Sequence, residues 1–237
     1  MLETRVVLVA PKEEGNVGAV ARAMKNFGVS QLVMVDPCPI GDEAFKRAMH
    51  GADVLAKANV VASLDDAVRD VDLVVGTTGI VTKSEKRFAR IAITPRDFAR
   101  RIAAMDGMVA ILLGREDFGL LDAELARCDL LVSIPAADGY PILNLSHAAA
   151  IVLYELFASD GGRPLRQASG EEKEHLFAAF HDMLDATNYP RNKRGRTEIM
   201  FRRMIGRAVP SKWEFHALMG VLTRATKTIR PRKRRRS

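Results

Sequence analysis

Residues 109–120 read Val109-Ala110-Ile111-Leu112-Leu113-Gly114-Arg115-Glu116-Asp117-Phe118-Gly119-Leu120. An unbroken apolar run stops at one glycine and passes into a charged loop closed by another. A short run without polar alternation fits a strand covered on both faces, as strands of parallel sheets are. Similar runs lie at Arg5 to Ala10, Gln31 to Val35, Val60 to Ala62, Leu73 to Gly76 and Leu130 to Ile134. Between them, helical periodicity fits Val17 to Phe27, Asp42 to Met49, Asp65 to Val71, Pro95 to Ala104, Ala123 to Cys128 and Leu145 to Phe157. In the first of these Val20, Ala23, Met24 and Phe27 share one stripe. Short strands alternating with helices predict an α/β fold, a doubly wound and mostly parallel sheet.

This domain is expected over residues 1–158, followed by a linker at 159–170 whose Asp160-Gly161-Gly162-Arg163-Pro164 is rich in turn formers. Residues 171–229 then form a small helical extension. Leu176, Phe177, Phe180, Met183 and Leu184 fall at helical spacing within Glu171 to Thr187, and further helices fit Thr197 to Arg207 and Ser211 to Ile229, with Ser211 as N-cap. Residues 230–237 are a block of basic residues expected to be disordered when free.

Charge divides along the same boundary. Residues 1–158 carry 17 basic and 21 acidic side chains, a net of −4, whereas the remainder carries 19 and 8, a net of +11. A C-terminal third so positive is built to attract a polyanion, nucleic acid before an anionic membrane. No apolar run reaches transmembrane length, and the chain enters its first strand without a charged and apolar leader pattern. Cys38 and Cys128 are far apart and lack metal-ligand spacing, so both are read as buried, reduced thiols. The expectation is a cytoplasmic protein with no membrane partner and no metal.

Three segments following strands carry candidate chemistry, and in an open α/β sheet all three converge at the carboxyl edge, where ligands bind. The first is Glu14-Gly15-Asn16-Val17-Gly18-Ala19-Val20-Ala21-Arg22-Ala23-Met24, a glycine-bearing entry to a helix suited to an anion or a close backbone. Its plainer reading is a turn and cap with a solvated Arg22. The second is the Gly114 to Leu120 loop, where adjacent unlike charges serve a ligand or satisfy each other. The third runs from Ile134 to Ala149, through Tyr140-Pro141-Ile142-Leu143-Asn144-Leu145-Ser146-His147, with Asn144 a ligand contact or simply a cap.

Taken together, in this order and spacing, Gly15-Asn16-x-Gly18-x-x-x-Arg22-Ala23-Met24, Gly114-Arg115-Glu116-x-x-Gly119-Leu120 and Leu143-Asn144-Leu145-Ser146 resemble the SPOUT RNA methyltransferases, specifically the TrmJ-type tRNA 2'-O-methyltransferases. The likeness extends through Asn188-Tyr189 and the Arg202-Arg203 helix to nearly the whole chain. It implies a C-terminal trefoil knot, an exception to the usual rule against threading, and S-adenosylmethionine as cofactor. By motif position that cofactor contacts Thr77, Thr78, Gly79, Gly114, Ile134, Ile142, Leu143 and Leu145. Pro141 and Ile142 stand where many bacterial members carry serines, which removes a serine contact there and points to the archaeal branch.

The resemblance further implies a homodimer in which Arg22 of one subunit faces the cofactor of the other. Its substrate would be tRNA, methylated on the ribose of cytidine, or uridine, at position 32 of the anticodon loop. An arginine with a pKa above about 12 is a poor base, so Arg22 is assigned to clamping phosphate and stabilising the developing alkoxide. Asn16 orients Arg22 or the ribose, and Arg115 and Glu116 hold RNA and the loop. His147 and Trp213 are read as core residues, Trp213 in preference to a base-stacking platform. Other readings are an rRNA methyltransferase of the same superfamily and a catalytically silent RNA-binding protein. A nucleotide-dependent oxidoreductase would need the G-x-G-x-x-G spacing that the first segment lacks.

Removal of residues 230–237 should weaken tRNA binding and flatten its salt dependence while leaving cofactor affinity intact. Titrations across a salt series check this, and an unchanged tRNA affinity would refute it.

Overall fold

The computed structural model describes residues 2–80, 91–159 and 167–230. The chain divides into two compact units, residues 1–165 and 166–237. In the first, all strand pairs are parallel and the sheet order is β3-β2-β1-β5-β4-β6. The strands are β1 (Leu2–Val9), β2 (Gln31–Val35), β3 (Asn59–Val61), β4 (Leu73–Thr77), β5 (Gly107–Leu113) and β6 (Leu130–Val132). The helices are α1 (Glu14–Asn26), α2 (Asp42–Ala48), α3 (Ala52–Ala56), α4 (Leu64–Val68), α5 (Pro95–Ile102), α6 (Asp122–Arg127) and α7 (Leu145–Ala158). A doubly wound, parallel α/β domain is therefore what the chain forms.

Strand alternation explains the two buried faces. Val7, Val9, Val33, Val35, Val74 and Leu112 pack with Ala67, Val68, Leu125 and Cys128 beneath α4 and α6. The intervening Val6, Leu8, Leu32, Met34, Val75 and Ile111 are also buried, on the face opposite, and α7 packs against both α1 and α5. The β1–β5 register, Val6 opposite Ile111 and Leu8 opposite Leu113, places the ends of these central strands side by side. β4 ends beside them, paired on its other edge with β6.

Several boundaries differ from expectation, each for a local reason. β6 ends at Val132, so Ile134 lies in the loop; beyond Val132, Ser133 N donates to Ile93 O at 2.9 Å, away from β4. α1 begins at Glu14, not Val17, so Gly15 and Asn16 are its first turn and not a preceding loop. Gly15 and Gly18 serve packing: a Cβ on Gly18 would sit 2.0 Å from the Ala44 carbonyl oxygen, and one on Gly15 would lie 2.9 Å from the Arg47 guanidinium. α1 thus crosses α2 at backbone distance. A short 3-10 turn, Met49–Gly51, and α3 follow α2. Cys128 is buried as expected, while Cys38 is only half-buried.

The second unit holds α8 (Gly170–Ala186), α9 (Arg191–Ala208) and α10 (Lys212–Ile229). Ser169 and Ser211 cap α8 and α10 through capping boxes with Glu172 and Glu214, as the reading of Ser211 anticipates. Phe180 stacks on Phe201 at 4.0 Å between ring centres, and Leu176, Ile205, Phe215 and Leu222 complete the core. α9 starts six residues before the expected Thr197 because Pro190 opens it and Arg194 ties its polar first turns to Asp185. Residues 160–166 of the linker and the tail at 231–237 lie outside the described residues.

Replacing Gly18 by alanine should lower unfolding free energy by about 1–3 kcal/mol, the usual cost of overpacking, measured by denaturant melts. A neutral substitution would mean that α1 and α2 do not approach as described.

Candidate active site

The loops following β4, β5 and β6 meet at the carboxyl edge of the sheet around one pocket, and the start of α1, after β1, is tied to its rim through hydrogen bonds of Asn16. Its floor comes from the ends of β4 and β5, Thr77 and Leu113, and continues through Thr78, Gly79 and Gly114. Ile134, Ile142, Leu143 and Leu145 supply an apolar wall. All eight residues predicted to touch a cofactor line this pocket, as do Arg115 and Glu116. Two glycines make its shape possible. A Cβ on Gly79 would reach within 2.6 Å of Ile142 Cδ1, and one on Gly114 within 2.1 Å of the Gly119 carbonyl carbon, so the 114–120 loop can fold back on itself. Gly119 closes that loop at φ +64°, a left-handed conformation open to glycine at no steric cost.

Arg115 is committed within its own loop. Its guanidinium donates to both carboxylate oxygens of Glu124 at 2.9 and 3.0 Å and to the Gly119 carbonyl at 3.0 Å, with both side chains largely buried. This bidentate pair pins the loop to the start of α6, where the Glu124 carboxylate also accepts from Leu121 N.

Glu116 reaches a different helix. α1 has no side-chain cap from its own N-cap residue, Glu13. The Glu116 carboxylate instead holds the segment that enters the helix, accepting from the backbone amides of Lys12 at 2.9 Å and of Glu13 itself at 3.3 Å, and from Asn16 Nδ2 at 2.9 Å. Burial pushes its pKa up, but the hydrogen bonds from Asn16 and the Lys12 amide outweigh this and hold the carboxyl below its ordinary value.

The network continues into the third loop. Asn16 Oδ1 accepts from Asn144 Nδ2 at 3.0 Å, and Asn144 Oδ1 accepts from the amide and hydroxyl of Ser146 at 2.9 and 2.7 Å. Asn144 is therefore the N-cap of α7, as its plainer reading has it, and also a link to α1. One chain, Glu116 to Asn16 to Asn144 to Ser146, joins all three candidate segments.

Arg22 is not brought to the pocket of its own chain; it is exposed on α1, a turn and a half beyond Asn16. His147, expected in the core, is exposed in the first turn of α7, because the buried stripe there runs through Leu145, Ala149 and Val152. Among the described residues no cluster of side chains could hold a metal ion and no helix is long and apolar enough to cross a membrane.

The SpoU rRNA Methylase family matches residues 3–154. The chain belongs to this family of methylases. Within it, the chain is 39% identical over 221 residues to the tRNA (cytidine-2'-O-)-methyltransferase TrmJ of Methanocaldococcus jannaschii, covering 90% of this chain and 96% of that protein. It is 33% identical to the tRNA (cytidine/uridine/adenosine-2'-O-)-methyltransferase TrmJ of Pseudomonas aeruginosa, over 95% of each chain. The crystal structure of TrmJ from Z. mobilis superposes with a TM-score of 0.70 at 28% identity, covering 93% of this chain and 98% of that one.

A carboxyl whose folded pKa is depressed adds stability above its unfolded value, about 4.3 for glutamate, and loses it as pH falls through the folded value. The unmodified protein should therefore lose stability more steeply below about pH 4.3 than Glu116→Gln, which has no proton to take up there. Equal slopes in acid titrations followed by circular dichroism would detach Glu116 from the entry to α1.

Proposed function

We propose that this protein transfers the methyl group of S-adenosylmethionine to a ribose 2'-hydroxyl of tRNA, at the first nucleotide of the anticodon loop. The observation that carries this reading is the lining of one pocket by the second and third motif segments, with the first tied to its edge through the Glu116-Asn16-Asn144 chain. The relatives named as tRNA 2'-O-methyltransferases over nearly the full chain support the substrate.

The pocket fits the cofactor. Ile134, Ile142, Leu143 and Leu145 offer an apolar slot for a purine, and the glycines at 79 and 114 let the loops that line it pack closely against Ile142 and Gly119. When bound, the cofactor supplies an already electrophilic methyl group, so the chain needs only to place a ribose oxygen in line and give its proton an exit. Asn16, oriented by Glu116 and Asn144, is the positioning group nearest this edge. Arg115 keeps the loop closed through Glu124 rather than meeting substrate itself. The proton passes to water or a neighbouring phosphate, since no guanidinium accepts it at neutral pH.

Arg22 enters from a second subunit in this reading. Its exposure supports this, as do Phe27, Tyr154 and Phe157, which gather where α1 and α7 meet, Tyr154 and Phe157 being 54% and 67% exposed. The trefoil knot of the family is part of the same proposal: β6 lies between β4 and Ile93, so the chain emerging from it is flanked by an earlier segment. Residues 171–229 serve as the tRNA-binding extension, and the protein works in the cytoplasm.

Mass-spectrometric mapping of tRNA from a deletion strain should show loss of one ribose methyl at the first anticodon-loop nucleotide. Loss at another tRNA position, or only in rRNA, would overturn the assignment. Shared sites predict a second result. Arg22→Ala and Gly114→Trp should each inactivate a homodimer, yet a verified mixed dimer holds one site with both defects and one with neither, restoring about half the activity per dimer. Mixed dimers that stay dead would return Arg22 to its own chain.

A further inference from the structure

Trp213 is the sole tryptophan of the chain and stands 86% exposed in the first turn of α10. The core reading of this residue is therefore wrong, because the apolar face of α10 runs through Phe215 and Leu222, each under 10% exposed. An indole left in water over nearly its whole surface is costly, and such residues mark surfaces that meet a partner.

What surrounds it identifies the partner. At 100° per residue, Trp213, Ala217, Gly220, Arg224 and Lys227 fall within about 40° of one line along α10, and all five are exposed. The stripe has an aromatic plate at its N-terminal end and two cations about 17 and 21 Å further on. Between them are only a methyl group and a glycine, whose Cβ would meet nothing within 4 Å. Met219, Gly220, Thr223, Arg224, Lys227 and Thr228 line a shallow groove there. No carboxylate lies on the stripe. The neighbouring Glu214 is turned back to accept from the Ser211 amide and hydroxyl at 2.7 and 2.8 Å.

A flat aromatic face followed by a smooth track and spaced cations suits a nucleic acid strand, with one unpaired base stacked on the ring and phosphates on the cations. An apolar protein partner would not place two cations along the line, and a folded peptide would need counter-charges matched to them. We propose that α10 is an RNA-binding face in which Trp213 stacks on an unpaired base of the tRNA while Arg224 and Lys227 hold phosphates two to three nucleotides away. This rests on tRNA being the substrate but adds a contact that the methyl-transfer pocket does not contain.

Because Trp213 is the only indole, its fluorescence reports this site alone in the full-length protein. Free protein should emit like exposed tryptophan and be readily quenched by acrylamide. Saturating tRNA should quench the emission and protect it from acrylamide, and a single-stranded oligoribonucleotide should do so where a blunt, fully paired duplex does not. Trp213→Ala should raise KM for tRNA about tenfold, one base's worth of stacking, leaving kcat and cofactor affinity unchanged, while Trp213→Phe restores most of the binding. A buried, acrylamide-resistant signal in the free protein would overturn the proposal in favour of a covering copy of the chain. So would tRNA binding with unchanged emission, or a Trp213→Ala variant with normal KM. If tRNA is neither bound nor methylated while cofactor still binds, the substrate assignment falls as well; methylation of tRNA by a Trp213→Ala variant with normal KM removes this inference alone.

Discussion

α1 has no capping side chain of its own, and the carboxylate that holds the backbone amides leading into it arrives from the loop after the neighbouring strand β5, about a hundred residues later in the chain. Helix starts ordinarily find such a partner within three residues. Here Glu116 can reach Lys12 and Glu13 only if β1 and β5 lie side by side in register and the 114–120 loop is folded back on Gly119. The contact is therefore a report on the whole central sheet. The same carboxylate turns Asn16 toward Asn144, so the pocket edge takes its shape from a contact that also begins a helix.

Two ways of satisfying a charge sit in adjacent positions of that loop. Arg115 is spent inside the loop on Glu124, where two parallel hydrogen bonds and low exposure make a rigid brace. Glu116 faces outward across the sheet edge and meets backbone and amide donors only. Neighbours of opposite charge thus do not neutralise each other, as a charged loop on a surface ordinarily would. Each is tied to a separate helix, α6 or α1, and the loop is held at two points along the pocket rim.

The readability of this arrangement from sequence followed the range of the interactions. Strand identity, the parallel sheet and the convergence of three loops depend on apolar runs and on chain direction, both visible locally, and the eight pocket residues followed from motif position. The extent of α1 did not, because the group that holds its entry is remote; the first turn was read as a loop. Gly15 and Gly18 fitted an anion or a close backbone alike, since sequence cannot distinguish glycine kept for a ligand from glycine kept for a neighbouring helix such as α2. Arg115 showed its charge but not its partner nine residues on. Trp213 and His147 were placed in the core on residue type, whereas helix phase put both outside. Arg22, on an exposed face of α1, is explained by no contact among the described residues.

The hydrogen-bonded amides between Glu116 and Ser146 have one further property. A carboxylate at one end can only accept, and the Ser146 backbone amide at the other can only donate. Between these limits neither Asn16 nor Asn144 has a second orientation that keeps its bonds. An amide exposed to water at a binding edge would choose between two flips each time a ligand arrived; these two have been chosen by the fold. The pocket rim is consequently preorganised, its dipoles set before anything enters, and the reorganisation that a solvent shell would require at the moment of reaction is absent from this side of the site.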